Sequence, residues 1–208
     1  MEQVIEFLIG PYREAATLDI ILEVIAVIFG LASVYFSKEE NILVYPTGIV
    51  STAIYVYLLY HAGLFGDMSI NAYYFSMSIY GWYYWLRPKK DGVVPPISKA
   101  NRRENLIGLG ILILAFGMVY YILANHTSST VPFIDSLTTA IFFVGMWFMA
   151  RKNIENWMYW IIGDLITVPL YFYKGLGLTA IQYIVFLGLA VAGYYSWKKK
   201  LEEQAAVA

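Results

Sequence analysis

The chain has 208 residues, 60% of them hydrophobic and 14% charged, with a mean hydropathy of +0.60 and a formal net charge of −1. A soluble globular domain is about 45–50% apolar and about 25% charged, so this composition excludes one and points to a protein that crosses a membrane repeatedly. The absence of cysteine excludes a disulfide framework, a thiolate metal site and a thiol nucleophile.

In chain order, the first sixteen residues carry Glu2, Glu6, Pro11, Arg13 and Glu14. They lack a basic stretch ahead of a short apolar core, so no cleavable signal peptide is expected. Seven apolar runs follow: Leu18–Phe36, Ile42–His61, Ser69–Leu86, Leu106–Ala124, Phe133–Ala150, Trp157–Tyr173 and Thr179–Trp197. Each is near the ~17–25 residues that a membrane helix needs. The stretch "RPKKDGVVPPISKANRRE" separates the third run from the fourth. Its paired prolines and six basic residues read as a solvated linker between two halves.

Lys and Arg set the orientation of a membrane protein. With the linker in the cytoplasm, Lys38, the six linker cations, Arg151, Lys152 and Lys198 to Lys200 all lie inside. That leaves only Arg13 and Lys174 outside, twelve against two. The N-terminus is then outside and the C-terminus cytoplasmic.

The chain also repeats itself. "ENILVYPTGI" from Glu40 resembles "ENWMYWIIGD" from Glu155, which sets Glu40, Asn41 and Gly48 opposite Glu155, Asn156 and Gly163, and Tyr45 opposite Trp160. "YGWYYWLRPKK" from Tyr80 resembles "AGYYSWKKK" from Ala192, pairing Gly81 with Gly193 and Trp85 with Trp197. The expected architecture is therefore all-α: seven transmembrane helices in a single membrane domain, as three-helix repeats over 18–86 and 133–197 joined by a linker helix over 106–124. Both repeats enter from the same side, so they are parallel, which is a transporter plan. Pro46 and Pro169 read as matching kinks in the second helix of each half.

The sixth run holds the chemistry. Trp157, Trp160, Asp164, Thr167 and Tyr171 step by three or four and form one helical stripe. Asp164 lies roughly 10 Å deeper than Trp157 at 1.5 Å per residue. An ionised aspartate at the centre of a membrane helix costs roughly 2.5–3.5 kcal/mol on insertion scales. Such a residue is expected to face a protein interior or a watery cavity where it has a partner. On the third and seventh runs, Asn71, Tyr74 and Gln182 are further polar candidates. Plainer readings stand beside these: an interfacial belt for Trp157, a structural anion for Asp164, and interhelical hydrogen bonds for Asn71 and Gln182. Glu23 has no assigned role, and Asp67 and Asp135 read as solvated at the outer ends.

The spacing W-x-x-W-x-x-x-N/D, here Trp157, Trp160 and Asp164, resembles the motif of the Pnu family of bacterial vitamin transporters. "GDMSINAYYFSMSIYGWYYW" and "YFYKGLGLTAIQYIVFLGLAVAGYYSW" extend the resemblance over essentially the whole membrane region. The resemblance implies a fold similar to the SWEET sugar transporters, a homotrimer in the bacterial inner membrane, and facilitated passage of nicotinamide riboside with trapping by a separate cytoplasmic kinase. A pyridinium ring is a flat cation, and tryptophan faces attract cations by about 2 kcal/mol when desolvated. Two indoles, one carboxylate and the Thr167 and Tyr171 hydroxyls suit such a nucleoside. Thiamine, also a flat cation, is the alternative substrate, and a sensor that binds without transport is the alternative class.

Enzymatic function is not expected. His61 and His126 have no metal-ligand spacing, and there is no glycine-rich phosphate loop. No metal, cofactor or nucleic-acid partner is expected; the partners are the lipid bilayer and a small molecule.

Overall fold

The computed structural model describes residues 16–88, 94–127 and 129–207. The reading of the first fifteen residues, Arg13 included, and of Lys89 and Lys90 lies outside them. Among the described residues seven helices follow in order: α1 Thr17–Lys38, α2 Val44–His61, α3 Phe65–Leu86, α4 Arg102–His126, α5 Pro132–Ala150, α6 Asn156–Tyr173 and α7 Gly177–Val207. Each apolar run is thus a helix. α1, α4, α5 and α7 are long and apolar enough to cross a membrane by hydropathy alone. α2, α3 and α6 have 18, 22 and 18 residues, but tyrosines and tryptophans stand where aliphatic residues would raise the hydropathy.

Helix ends extend beyond the apolar runs wherever polar residues are helical. α4 begins at a capping box in which Asn101 accepts from the Glu104 amide and Glu104 accepts from the Asn101 amide. α7 continues ten residues past Trp197 as a polar helix with a Lys199–Glu203 pair at 3.8 Å. Hydropathy cannot register such a turn-by-turn polar extension.

Within the first half α1 packs on α2 and α2 on α3; within the second α5 packs on α6 and α6 on α7. The halves meet where α1 packs on α7 and α3 on α5, and α4 lies against α5. Contacts recur at a constant offset of 112 residues. Trp85 Nε1 donates to the Met149 carbonyl at 3.3 Å, and Trp197 Nε1 donates to the Ser37 carbonyl at 2.8 Å. A Cβ on Gly81 would enter the Tyr45 ring, and a Cβ on Gly193 would enter the Trp157 ring. The turns obey the same offset: Glu40 and Lys152 have φ of 60° and 61°, and Gly63 and Gly175 have φ of 69° and 77°.

This spacing corrects the alignment read from "ENILVYPTGI" and "ENWMYWIIGD", which is three residues out of register. Tyr45 corresponds to Trp157, not Trp160, and Thr52, not Ile49, corresponds to Asp164. The matched-kink reading fails with it. Pro46 sits in the first turn of α2, where a missing N–H leaves no gap, whereas Pro169 is inside α6.

The linker is not a solvated tether in its second part. Ile97 is 2% exposed, and Ser98 forms a β-bridge with Asn153, with Ser98 N to Lys152 O at 3.1 Å and Ile154 N to Ser98 O at 2.9 Å. Ala100 N donates to Glu155 at 3.0 Å, and Arg151 pairs with the buried Glu104 at 2.9 Å. At the opposite end Asp135 is not free in solvent: it pairs with Lys174 and accepts from Ser129 Oγ at 2.9 Å.

Candidate functional site

The sixth-run stripe is real geometry. Trp157, Asp164 and Thr167 are 1%, 2% and 2% exposed on one face of α6, with Trp160 and Tyr171 half-buried beside them. Gly163 lets α5 come close, because a Cβ there would collide with the Phe142 ring. Phe142 is thereby held against α6 and stacks on Trp160, ring centroids 5.5 Å apart at 26°. Phe142 also stacks with Tyr183 of α7 at 5.9 Å and 28°. Tyr183 meets Tyr171, ring centroids 5.2 Å apart. Tyr74 of α3 closes the group across the halves, 6.4 Å from Trp160.

Asp164 lies among these rings, close enough to interact electrostatically with Tyr74 and Tyr183. Among the described residues no lysine, arginine or histidine pairs with it. One turn on, the buried Thr167 hydroxyl has no hydrogen-bond partner. The arrangement is a group of packed aromatic rings, here called the aromatic box, with one carboxylate and a spare hydroxyl beside it. A flat cation fits this chemistry: ring faces attract it, the carboxylate compensates it, and the box excludes water that would screen both.

Not every candidate joins the box. Trp157 packs one turn nearer the linker end, in contact with Trp197 at 5.6 Å, and its indole N–H is buried without a partner. The Asn71 amide donates to the Asp67 carbonyl of its own helix at 3.0 Å. Gln182 lies beside Tyr55 of α2 instead. Tyr55 also feels the charge of Glu23, so the acid without an assigned role belongs to this second polar group. Sequence reasoning leaves Phe142 and Tyr183 out. Gln182 and Tyr183 are neighbours, about 100° apart around a helix, and only packing decides which of them faces α6.

The family model described as nicotinamide mononucleotide transporter matches residues 20–199 of this chain. The chain belongs to that family. Relatives support the membership over nearly their full lengths. The nicotinamide riboside transporter PnuC of Escherichia coli (strain K12) is 22% identical over an alignment of 210 positions that covers 89% of this chain and 88% of that protein. The riboflavin/roseoflavin transporter RibM of Streptomyces davaonensis (strain DSM 101723 / JCM 4913 / KCC S-0913 / 768) is 25% identical over 173 residues, covering 82% and 81%. The crystal structure of the vitamin B3 transporter PnuC shares the fold, with a TM-score of 0.69, 24% identity, and coverage of 90% and 84%. As a member of the nicotinamide mononucleotide transporter family, the chain is a multi-pass membrane transporter.

Proposed function

We propose that the protein carries nicotinamide riboside across the membrane by facilitated diffusion, with Trp160, Asp164, Tyr74, Tyr171 and Thr167 forming the binding site. The observation that carries this reading is the buried Asp164 carboxylate beside an aromatic box, with no basic partner among the described residues. Relatives named for nicotinamide riboside support the same substrate. The riboside is preferred over its mononucleotide on charge. From Ser69 to Leu86, Phe133 to Ala150 and Trp157 to Tyr173 the chain has no Lys or Arg to receive a phosphate, and Asp164 would repel one. It is preferred over riboflavin, the cargo in the name of RibM, because an uncharged ring gives the carboxylate no partner. Thiamine satisfies the same electrostatics, which makes it the competitor to be tested. Net uptake then depends on a separate cytoplasmic kinase that traps the product.

Two parallel three-helix repeats with α4 as the connecting helix, in a SWEET-like arrangement and a homotrimer, complete the proposal. The 112-residue recurrence of turns and tryptophan bonds supports the repeats. Orientation follows the charge count, with the linker in the cytoplasm of a bacterial inner membrane. Cysteine labelling tests it directly, since the parent chain has none. A cysteine at His126 should react with an impermeant reagent in intact cells, and one at the exposed Lys99 only after permeabilisation. Reaction at Lys99 in intact cells would invert the topology.

Trp160→Ala tests the site itself. Removing one aromatic stacking partner should weaken riboside binding by about 1–3 kcal/mol, read by calorimetric titration, with a matching loss of flux into sealed vesicles. Binding like the parent would remove Trp160 from the site. Binding without any flux in the parent would make the protein a sensor.

A further inference from the structure

We infer that the aromatic layer at the linker end is a gate and that the linker segment 94–101 is its latch. Four rings run in sequence across that end. Tyr45 meets Trp85 at 5.1 Å and 89°, Trp85 meets Trp197 at 6.0 Å and 51°, and Trp197 meets Trp157 at 5.6 Å and 89°. Their exposures are 0%, 4%, 0% and 1% in that order. Trp157 is one turn from Trp160, so this layer lies immediately between the aromatic box and the linker end. A solute leaving the box in that direction has to part these rings.

The layer joins the halves reciprocally. Trp85 of the first half bonds the end of α5, and Trp197 of the second bonds the end of α1. Outside the rings, Glu40 accepts from Lys152 at 2.8 Å and from Lys200 at 3.1 Å. Glu40 and Lys152 are the two non-glycine residues with positive φ among those described, so the tight turns of both halves converge on one ion pair. Parting the halves at this end breaks all of these contacts together.

The closed layer also carries a cost. The Tyr45 hydroxyl and the Trp157 indole N–H, at corresponding positions, are both buried without a hydrogen-bond partner. A buried orphan donor is destabilising, and opening would hydrate both. These two orphan groups offset part of what the ring contacts, the two indole bonds and the ion pair contribute, so a further hold on the layer matters to closure. On the second half that is the linker. Ile97 is buried in the same cluster as Tyr45, Trp85, Trp157 and Trp197. Ser98 bridges the α5–α6 turn, and the Pro95 carbonyl accepts from Lys152 Nζ at 2.9 Å. The corresponding α1–α2 turn is held differently, by α7: Ser196 Oγ donates to the Lys38 carbonyl at 3.1 Å.

The test is pulsed EPR on protein in liposomes without any substrate, so its outcome is independent of what the box binds. Spin labels go on cysteines at Leu43 and Met158, exposed residues at the linker-end starts of α2 and α6. The parent should give one short-distance population. Ile97→Ala, which cuts the latch, and Trp197→Phe, which keeps a ring but deletes the bond to Ser37, should each add a longer-distance population. Ile97→Val should add it in smaller measure. Val144→Ala, a buried cut between α4 and α5 away from the layer, should leave the distribution unchanged. Parent-like distributions in both Ile97→Ala and Trp197→Phe would overturn the gate. A shift in Trp197→Phe alone would overturn the latch, and an equal shift in Val144→Ala would reduce both to general loosening.

Discussion

Asp164→Asn should bind a cationic riboside about 1–3 kcal/mol more weakly than the parent, and lose much less against an analogue whose ring is reduced and uncharged. The substitution keeps the shape and hydrogen-bonding capacity of the side chain and removes only its charge. Asparagine is therefore not expected to disturb a position that is 2% exposed and tightly packed. The selectivity follows from the surroundings: the rings of Trp160, Phe142 and Tyr183 exclude water, and among the described residues no cation pairs with Asp164. In the proposed site a cationic ring would offset the cost of a carboxylate in the membrane. Titrating both ligands against both proteins decides the matter. Equal losses would make Asp164 a hydrogen-bond acceptor only, and no loss for either would make it structural.

Gly81→Ala and Gly193→Ala should each destabilise the fold by about 1–3 kcal/mol, since overpacking a filled interior forces rings and backbone to shift. The added Cβ would enter the Tyr45 ring in the first case and the Trp157 ring in the second. Both rings are fully buried and have no room to retreat. The same exchange at Gly110 or Gly117 of α4 meets nothing within 4 Å and should stabilise, by up to about 1 kcal/mol, through helix propensity alone. Melting temperatures in detergent should therefore fall for the first pair and rise for the second. Equal signs at all four positions would remove the close approach of the rings as the reason for glycine at 81 and 193.

Much of the candidate site is legible in the order of residues along α6. Its period places Trp157, Trp160, Asp164 and Thr167 on one face, and that face is the buried one. Periodicity cannot split the stripe, however. Trp157 belongs to the closed layer at the linker end and Trp160 to the aromatic box, a division made by which partner each ring meets, Trp197 or Phe142. Phe142 and Tyr183 stay hidden because the chain has 12 phenylalanines and 19 tyrosines, spread through most of its helices. The repeat register fails for a similar reason. Letter matches between Glu40 and Glu155 outweigh a correspondence, Glu40 with Lys152, that shows in backbone φ and turn hydrogen bonds and not in residue type.

By itself the sequence determined seven helices among the described residues. A chain in lipid must satisfy its backbone within each segment, so long apolar runs become helices whatever they pack against, and blocks of Lys and Arg end them. Tertiary structure alone decided that Ile97 turns from a polar linker into a buried core, that Asp135 pairs with Lys174, and that Gln182 faces Tyr55 while Tyr183 faces Phe142. The physical reason is that a bilayer is as apolar as a helix interface. In water, polarity marks which face of a helix is buried; in lipid both faces read alike, and shape complementarity, here a glycine opposite a ring, selects the partner.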